Sequence, residues 1–75
     1  MSLIKAAENG DDETIKKLVK SGTDINSTNE IGCTALFYAC NSGQLSSVVL
    51  LIELGANINA RNIHKQTPLM WAGKQ

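Results

Sequence analysis

The sequence has few of the residues that usually carry catalysis or metal binding. It contains one histidine, two cysteines and one proline, and aromatic residues make up 4% of its 75 residues. His64 would need Cys33 or Cys40 as a partner to form a nucleophilic pair, and no third group that could orient such a pair is evident. Zinc needs about three or four protein ligands, which two thiols and one distant imidazole do not supply. We therefore expect no enzyme activity, no metal and no cofactor.

An excess of charge of one sign and long apolar runs are also lacking. The 7 basic residues balance the 7 acidic ones, which favours neither nucleic acid nor an anionic membrane as a partner. An apolar run such as Val48 to Ile52 is far shorter than the roughly 20 residues of a membrane span. Residues 1–5 lack the apolar core of a signal peptide. We expect one intracellular, cytoplasmic domain with free cysteines.

The sequence repeats itself with a period of 33 residues. Such a period is typical of proteins built from stacked supersecondary units. We expect a shortened first unit at 1–28, a complete second unit at 29–61 and an incomplete third unit at 62–75. The residues that recur one period apart are Leu3/Leu36/Leu69, Ala6/Ala39/Ala72, Gly10/Gly43, Leu18/Leu51, Gly22/Gly55, Ile25/Ile58, Asn26/Asn59, Asn29/Asn62 and Thr34/Thr67.

The pattern within the units predicts helices only. In the first unit, Ile15, Leu18 and Val19 follow the i, i+3, i+4 spacing of one helix face, and Gly22 is expected to end that helix. The middle unit repeats the scheme with short helices over 33–40 and 45–54. Its first helix is expected to be capped by the hydroxyl of Thr34.

These features resemble the ankyrin repeat. Thr67-Pro68-Leu69-Met70 resembles the start of the family's T-P-L-H-x-A motif and matches it in its first three residues. Thr34–Ala39 is a weaker copy of that motif, and Gly55–Ala60 matches its G-A-D-V-N-A segment. The resemblance covers essentially the whole chain and implies an all-α helical stack, a short solenoid, that binds another protein. Phe37 and Met70 replace the family's histidine, so the hydrogen bonding that it provides at the helix start is expected to be absent.

The resemblance also implies where a partner would bind, namely on a concave face made of the turn tips and the exposed side of each first helix. Ile31 and Ile63 are the sharpest candidates, because both are apolar at tips that should be exposed. Packing against the neighbouring turn is the alternative for these two residues. Carried over position by position, the partner-binding candidates are Glu8, Asn9, Thr28, Glu30, Ile31, Cys33, Asn41, Ser42, Arg61, Ile63, His64 and Gln66.

A second surface is expected where the third unit lacks its second helix. Leu50 and Leu54 form an i, i+4 apolar pair where the repeat scheme expects polar residues, and Leu51 and Ile52 would lose their usual cover. Such a surface favours association with a second copy, or further repeats beyond Gln75, as the alternative to partner binding. The self-association candidates are Leu50, Leu54, Leu69 and Trp71. The competing expectation is that the last residues are frayed and Trp71 packs back on the middle unit.

Overall fold

The computed structural model describes residues 2–72 of the chain. In that range the chain forms helices and no β-strand, so the predicted all-α class is confirmed. The helices are α1 (Leu3–Asn9), α2 (Asp12–Lys20), α3 (Ala35–Asn41), α4 (Leu45–Glu53) and α5 (Pro68–Ala72). The last part of the predicted third unit, 73–75, lies outside the described residues, and the unit boundaries stay a prediction.

The first helix of each unit lies beside the first helix of the next. α3 packs between α1 and α5, and α4 packs on both α2 and α3. Ala6 and Ala39 are fully buried, and their small side chains let neighbouring helices approach closely. Burial of a large apolar side chain contributes about 1.5–3 kcal/mol to folding. The core cluster consists of Leu3, Ala6, Ala7, Ile15, Ala35, Leu36, Ala39 and Leu51.

Side chains and glycine set the ends of the helices in the first unit. Asp11 Oδ1 accepts a hydrogen bond from the N–H of Thr14 at 3.2 Å, which satisfies one free donor at the start of α2. Ser2 Oγ accepts from the N–H of Lys5 at 3.2 Å in the same way for α1. Gly10 ends α1 in the left-handed region, with φ at 70°, a conformation that glycine adopts without steric cost. The two predicted helices of this unit are therefore both present.

Thr34 does not cap α3 as predicted. Its backbone is extended at the start of the helix, but its side chain accepts no hydrogen bond there, and its buried hydroxyl has no hydrogen-bond partner among residues 2–72. Phe37 is fully buried and provides no polar atom for this hydroxyl. In α5 the equivalent Thr67 does cap, since its Oγ1 accepts from the N–H of Met70 at 3.4 Å.

The orientation predicted for the second helix of the middle unit was wrong in part. Leu50, expected on the solvent side, packs against the core, and Leu51, expected to lose its cover, is fully buried. The exposed stripe on α4 is instead Leu45, Val49 and Ile52, with exposed fractions of 77%, 56% and 40%. These positions are i, i+4 and i+7, which share one face of a helix.

Candidate protein-binding surface

A tight turn precedes each of α3 and α5, and these turns are called finger 1 (29–33) and finger 2 (62–66). In finger 1 the N–H of Asn29 donates to the carbonyl oxygen of Cys33 at 3.0 Å. The Asn29 Oδ1 accepts from the N–H groups of Ile31 at 3.2 Å and Cys33 at 3.0 Å. Asn62 makes the equivalent bonds in finger 2. One asparagine side chain therefore fixes the shape of each finger.

The two fingers are bonded to each other. The N–H of Ile63 donates to the carbonyl oxygen of Ile31 at 2.9 Å, and the Asn62 side chain donates to the Cys33 sulfur at 3.5 Å. Gly32 permits this approach, because a Cβ at that position would stand 3.2 Å from the Cα of Asn62, and its φ is 79°. The fingers therefore form one continuous surface.

Each finger is also attached to the helix that follows it. The Asn29 amide donates to the Tyr38 hydroxyl at 2.6 Å, and the Trp71 indole N–H donates to Gln66 Oε1 at 3.1 Å. Tyr38 and Trp71 are one repeat period apart, and their ring centroids lie 5.3 Å from each other at an interplanar angle of 75°, a favourable edge-to-face geometry. Fingers, α3 and α5 are thus braced as one unit.

Tyr38 was not among the residues singled out from the sequence. The signal that could have found it is the aromatic character of positions 38 and 71, which are equivalent in the repeat. Its hydroxyl holds finger 1 and its ring contacts the next unit. It therefore positions the candidate surface.

Cys33 was predicted at an exposed turn tip, and this was wrong. The residue is fully buried, because finger 2 covers it and the Asn62 amide contacts its sulfur. It cannot contact a partner directly. The exposed candidates are Asn9, Thr28, Glu30, Arg61, Ile63 and His64, and the half-buried ones are Glu8, Ile31, Asn41, Ser42 and Gln66.

Two of the four self-association candidates are not available at the surface as expected. Leu50 packs against the core. Trp71 is half-buried and packs edge-to-face on Phe37 as well, with ring centroids 5.4 Å apart. The alternative expectation, that Trp71 packs back on the middle unit, is the arrangement found. Leu69 and Leu54 are exposed, at 77% and 36%.

Few charged side chains of the described residues contact one another. Glu8, at the end of α1, pairs with Lys5 at 3.3 Å.

Cys33 and Cys40 are free thiols, and burial raises the pKa of Cys40 above its usual range. Within residues 2–72, no group of three metal-ligating side chains is gathered. None of the helices there has the length and apolar character to cross a membrane.

Comparison with known proteins identifies the family. A family model described as "Ankyrin repeats (3 copies)" matches residues 3–75. The chain is 37% identical over 75 residues to "Putative ankyrin repeat protein L271" from Acanthamoeba polyphaga mimivirus, covering 99% of this chain and 10% of that protein. It is 35% identical over 71 residues to "Ankyrin repeat and KH domain-containing protein mask-1" from Caenorhabditis elegans, covering 95% of this chain and 3% of that protein.

A solved structure gives the same result. The human ASB11 ankyrin repeat domain matches with a TM-score of 0.88 at 30% identity, over 96% of this chain and 33% of that chain. The chain belongs to the ankyrin repeat family, and its helices form the short solenoid that the sequence predicted. Domains of this family are generally protein–protein interaction modules, and their fold is typically not catalytic.

Proposed function

We propose that the chain binds a partner protein, without a cofactor, through the finger tips and the exposed sides of the first helices. The observation that supports this most directly is the bracing of both fingers by the bonds from Asn29 to Tyr38 and from Trp71 to Gln66. A surface held in place before binding loses little conformational entropy when a partner arrives. A zero net charge favours a protein over nucleic acid or an anionic membrane, and two free thiols favour an intracellular, cytoplasmic setting.

The contacts with a partner would be made by exposed side chains that project from the braced fingers and helices. Glu30, Ile63 and His64 are exposed on the two fingers, with Ile63 at 65%. The ends of α1 and α3 extend the surface through Glu8, Asn9, Asn41 and Ser42, and Thr28 and Arg61 flank it. Ile31 is half-buried and its carbonyl oxygen is bonded to finger 2. We therefore expect Ile63 to contribute more than Ile31.

The test compares two variants that carry the same substitution on different surfaces. Ile63→Asp changes the tip of finger 2, and Val49→Asp changes an exposed position on α4 (56% exposed). Proteins captured from cell extract by the wild-type chain are identified, purified and titrated against both variants. We expect Ile63→Asp to lower the affinity by about tenfold or more, as for a hot-spot residue, and Val49→Asp to leave it unchanged. The opposite ranking would overturn the proposed surface.

A second candidate function is association of the chain with a second copy of itself. It is favoured by the apolar end of the stack, formed by Leu45, Val49 and Ile52 on α4 and by Leu69 on α5, each at least 40% exposed. Leu3 and Leu36, which are equivalent to Leu69 in the repeat, are buried at 4% and 2%. Further repeats in a longer polypeptide would cover the same end, and the chain spans only 10% and 3% of the two relatives.

Sedimentation velocity over a wide range of concentrations tests self-association. The wild-type chain is expected to form dimers or larger species, and a Leu45→Lys/Ile52→Lys variant is expected to stay monomeric. A compact, stable wild-type monomer at high concentration would remove this candidate. The finger variant Ile63→Asp is the matched control, since it should leave the sedimentation behaviour as it is.

A further inference from the structure

The tip of finger 2 combines positive charge with an exposed apolar side chain. Arg61, His64 and Lys65 surround Ile63 along the chain, and all four are exposed. No aspartate or glutamate follows Glu53 in the sequence. The ion pairs within residues 2–72 are Lys5–Glu8 and Lys16–Glu13, so the cations of Arg61 and Lys65 are not neutralised by any described carboxylate.

Finger 1, which is bonded to finger 2, carries the opposite charge. Its tip residue Glu30 is exposed and occupies the position equivalent to Ile63. In the loop before it, an Asp24 carboxylate oxygen accepts a hydrogen bond from the N–H of Asn26 at 2.9 Å. Finger 1 therefore carries a negative charge at Glu30 beside the basic finger 2, although the net charge of the chain is zero. A partner segment that crosses both fingers meets this polarity in a fixed order.

Ile63 is held in position between these charges. Its backbone N–H donates to the carbonyl oxygen of Ile31, which fixes the position of its backbone against finger 1. With 65% of its surface exposed, it offers an apolar contact within two residues of Arg61 and Lys65. Exposed apolar groups rimmed by polar residues are typical of protein-interaction sites.

The backbone conformation of Lys65 is a second, independent observation that points to binding at finger 2. Its φ is 60°, the only positive φ of a non-glycine residue among residues 2–72, while the equivalent position in finger 1 is Gly32 with φ at 79°. A left-handed conformation is strained for a residue that carries a Cβ. Residues with a strained backbone are concentrated at ligand contacts, where the contact made by the side chain offsets the cost of the strain. At this position a lysine supplies a charge that glycine would not.

We propose that finger 2 selects a partner segment in which acidic side chains flank an apolar one, the apolar group meeting Ile63 and the carboxylates meeting Arg61 and Lys65. This inference rests on the proposed function, and it adds the chemistry of the partner. Charges at the rim of an interface act mainly on the association rate and on specificity. The interaction with such a segment therefore weakens as salt screens the finger.

The experiment selects random twelve-residue peptides displayed on phage against the wild-type chain and a charge-reversed Arg61→Glu/Lys65→Glu variant. A Lys16→Glu/Lys20→Glu variant is the matched control, because it changes the net charge equally on the exposed side of α2. Thermal unfolding of each variant is measured in parallel. Selected peptides are synthesised and titrated at about 50 mM and 300 mM salt, a range over which surface charges become largely screened.

The wild-type chain and the α2 control are expected to select peptides with aspartate or glutamate beside an aliphatic residue. The charge-reversed chain is expected to select lysine or arginine there, and to bind the wild-type peptides about tenfold more weakly. Lys65→Gly should raise the temperature of unfolding and yet weaken binding. A purely structural role for Lys65 would leave binding unchanged in that variant.

Peptides without an acidic preference, or an equal affinity for the charge-reversed chain, would overturn the inference. If such peptides still lose affinity with Ile63→Asp, the finger surface binds partners and only the acidic preference is wrong. If neither the charge reversal nor Ile63→Asp affects binding, the proposed surface is wrong as well. Failure to enrich any peptide overturns recognition of a short segment by finger 2, while capture of a whole protein separately decides the proposed function.

Discussion

The hydroxyl of Ser47 donates a hydrogen bond to the carboxylate of Asp12 and so joins α4 to the start of α2. Ser47 is fully buried in the second unit, and Asp12 is the first residue of the second helix of the first unit. A carboxylate at the start of a helix is also favoured by the helix dipole. This bond is one of several polar contacts between the two units, together with those from the Gln44 amide to the carbonyl oxygen of Glu8 and from the N–H of Asn57 to Asn26 Oδ1.

Removal of this bond is expected to weaken the fold. Ser47→Ala should lower the free energy of unfolding by about 1–3 kcal/mol, because hydrogen bonds to charged groups are stronger than average and Asp12 would keep an unmet acceptor. Urea denaturation measures the change. Ser46→Ala is the control, since Ser46 is exposed on the same helix and should change stability by less than about 0.5 kcal/mol. Equal effects would contradict the role of the bond.

The two threonines that begin α3 and α5 should respond differently to valine, which has almost the same shape. Thr34→Val removes a buried hydroxyl that has no hydrogen-bond partner in the described part of the chain, so the free energy of unfolding should stay the same or rise by about 1 kcal/mol. Thr67→Val removes the hydroxyl oxygen that accepts from the Met70 N–H but keeps the Thr67 carbonyl oxygen, to which the same N–H donates at 3.1 Å. It should therefore lower the free energy of unfolding by about 0.5–1 kcal/mol. Urea titrations of both variants measure the free energy of unfolding. A larger loss of stability for Thr34→Val than for Thr67→Val would contradict the unpaired state of the Thr34 hydroxyl.

Gly32 and Gly43 separate backbone strain from packing. Both have positive φ, at 79° and 68°, but only at Gly32 would a Cβ meet other atoms, the nearest being the Asn62 Cα at 3.2 Å. Alanine at either site should cost about 1–2 kcal/mol for the left-handed conformation. Gly32→Ala should cost more, and it should also weaken amide protection of Ile63 in hydrogen exchange. Equal stability losses would mean that finger 2 moves away from Gly32 freely.

Acid should weaken the start of α2 through Asp11. The hydrogen bond from the Thr14 hydroxyl, followed by that from its N–H, lowers the pKa of the Asp11 carboxyl below its usual range, and Lys17 lowers it slightly further. Since the folded pKa is the lower one, the ionised form stabilises the native state above the unfolded pKa of about 3.9. This stabilisation is lost as the pH falls through the folded value.

The comparison that checks this is thermal unfolding of the wild-type chain and Asp11→Asn between about pH 2 and pH 7. Asparagine keeps an oxygen for the cap but does not ionise. The wild-type chain should be the more stable near neutral pH, and the difference should shrink in acid. A constant difference over the whole range would show that ionisation of Asp11 does not contribute.

The period of 33 residues was enough to predict stacked repeat units, and the resemblance to the ankyrin repeat implied the all-α stack and the order of its helices. The resemblance also located the turn tips, where Ile31 and Ile63 were expected. Asn29 and Asn62 recur one period apart, and each holds its finger through the side chain. Local chemistry of this kind can be inferred from sequence without knowledge of neighbouring elements.

The sequence failed where the answer depends on contacts between units. Positions 48–52 are all apolar, so no pattern distinguishes Leu50, which packs inward, from Val49, which is exposed. Cys33 looked exposed because it stands in a turn, but the finger of the next unit covers it. The Tyr38–Trp71 contact likewise forms only when two units stack.

Gly32 and Lys65 occupy equivalent positions of the two fingers, and the difference between them limits how another finger could be grafted to lengthen the stack. Finger 2 lies so close to Gly32 that an added Cβ would stand 3.2 Å from the Asn62 Cα. A finger grafted beyond finger 2 at the same spacing would meet the Cβ that Lys65 already carries. The graft would therefore need Lys65→Gly or a spacing that is wider by a few tenths of an ångström.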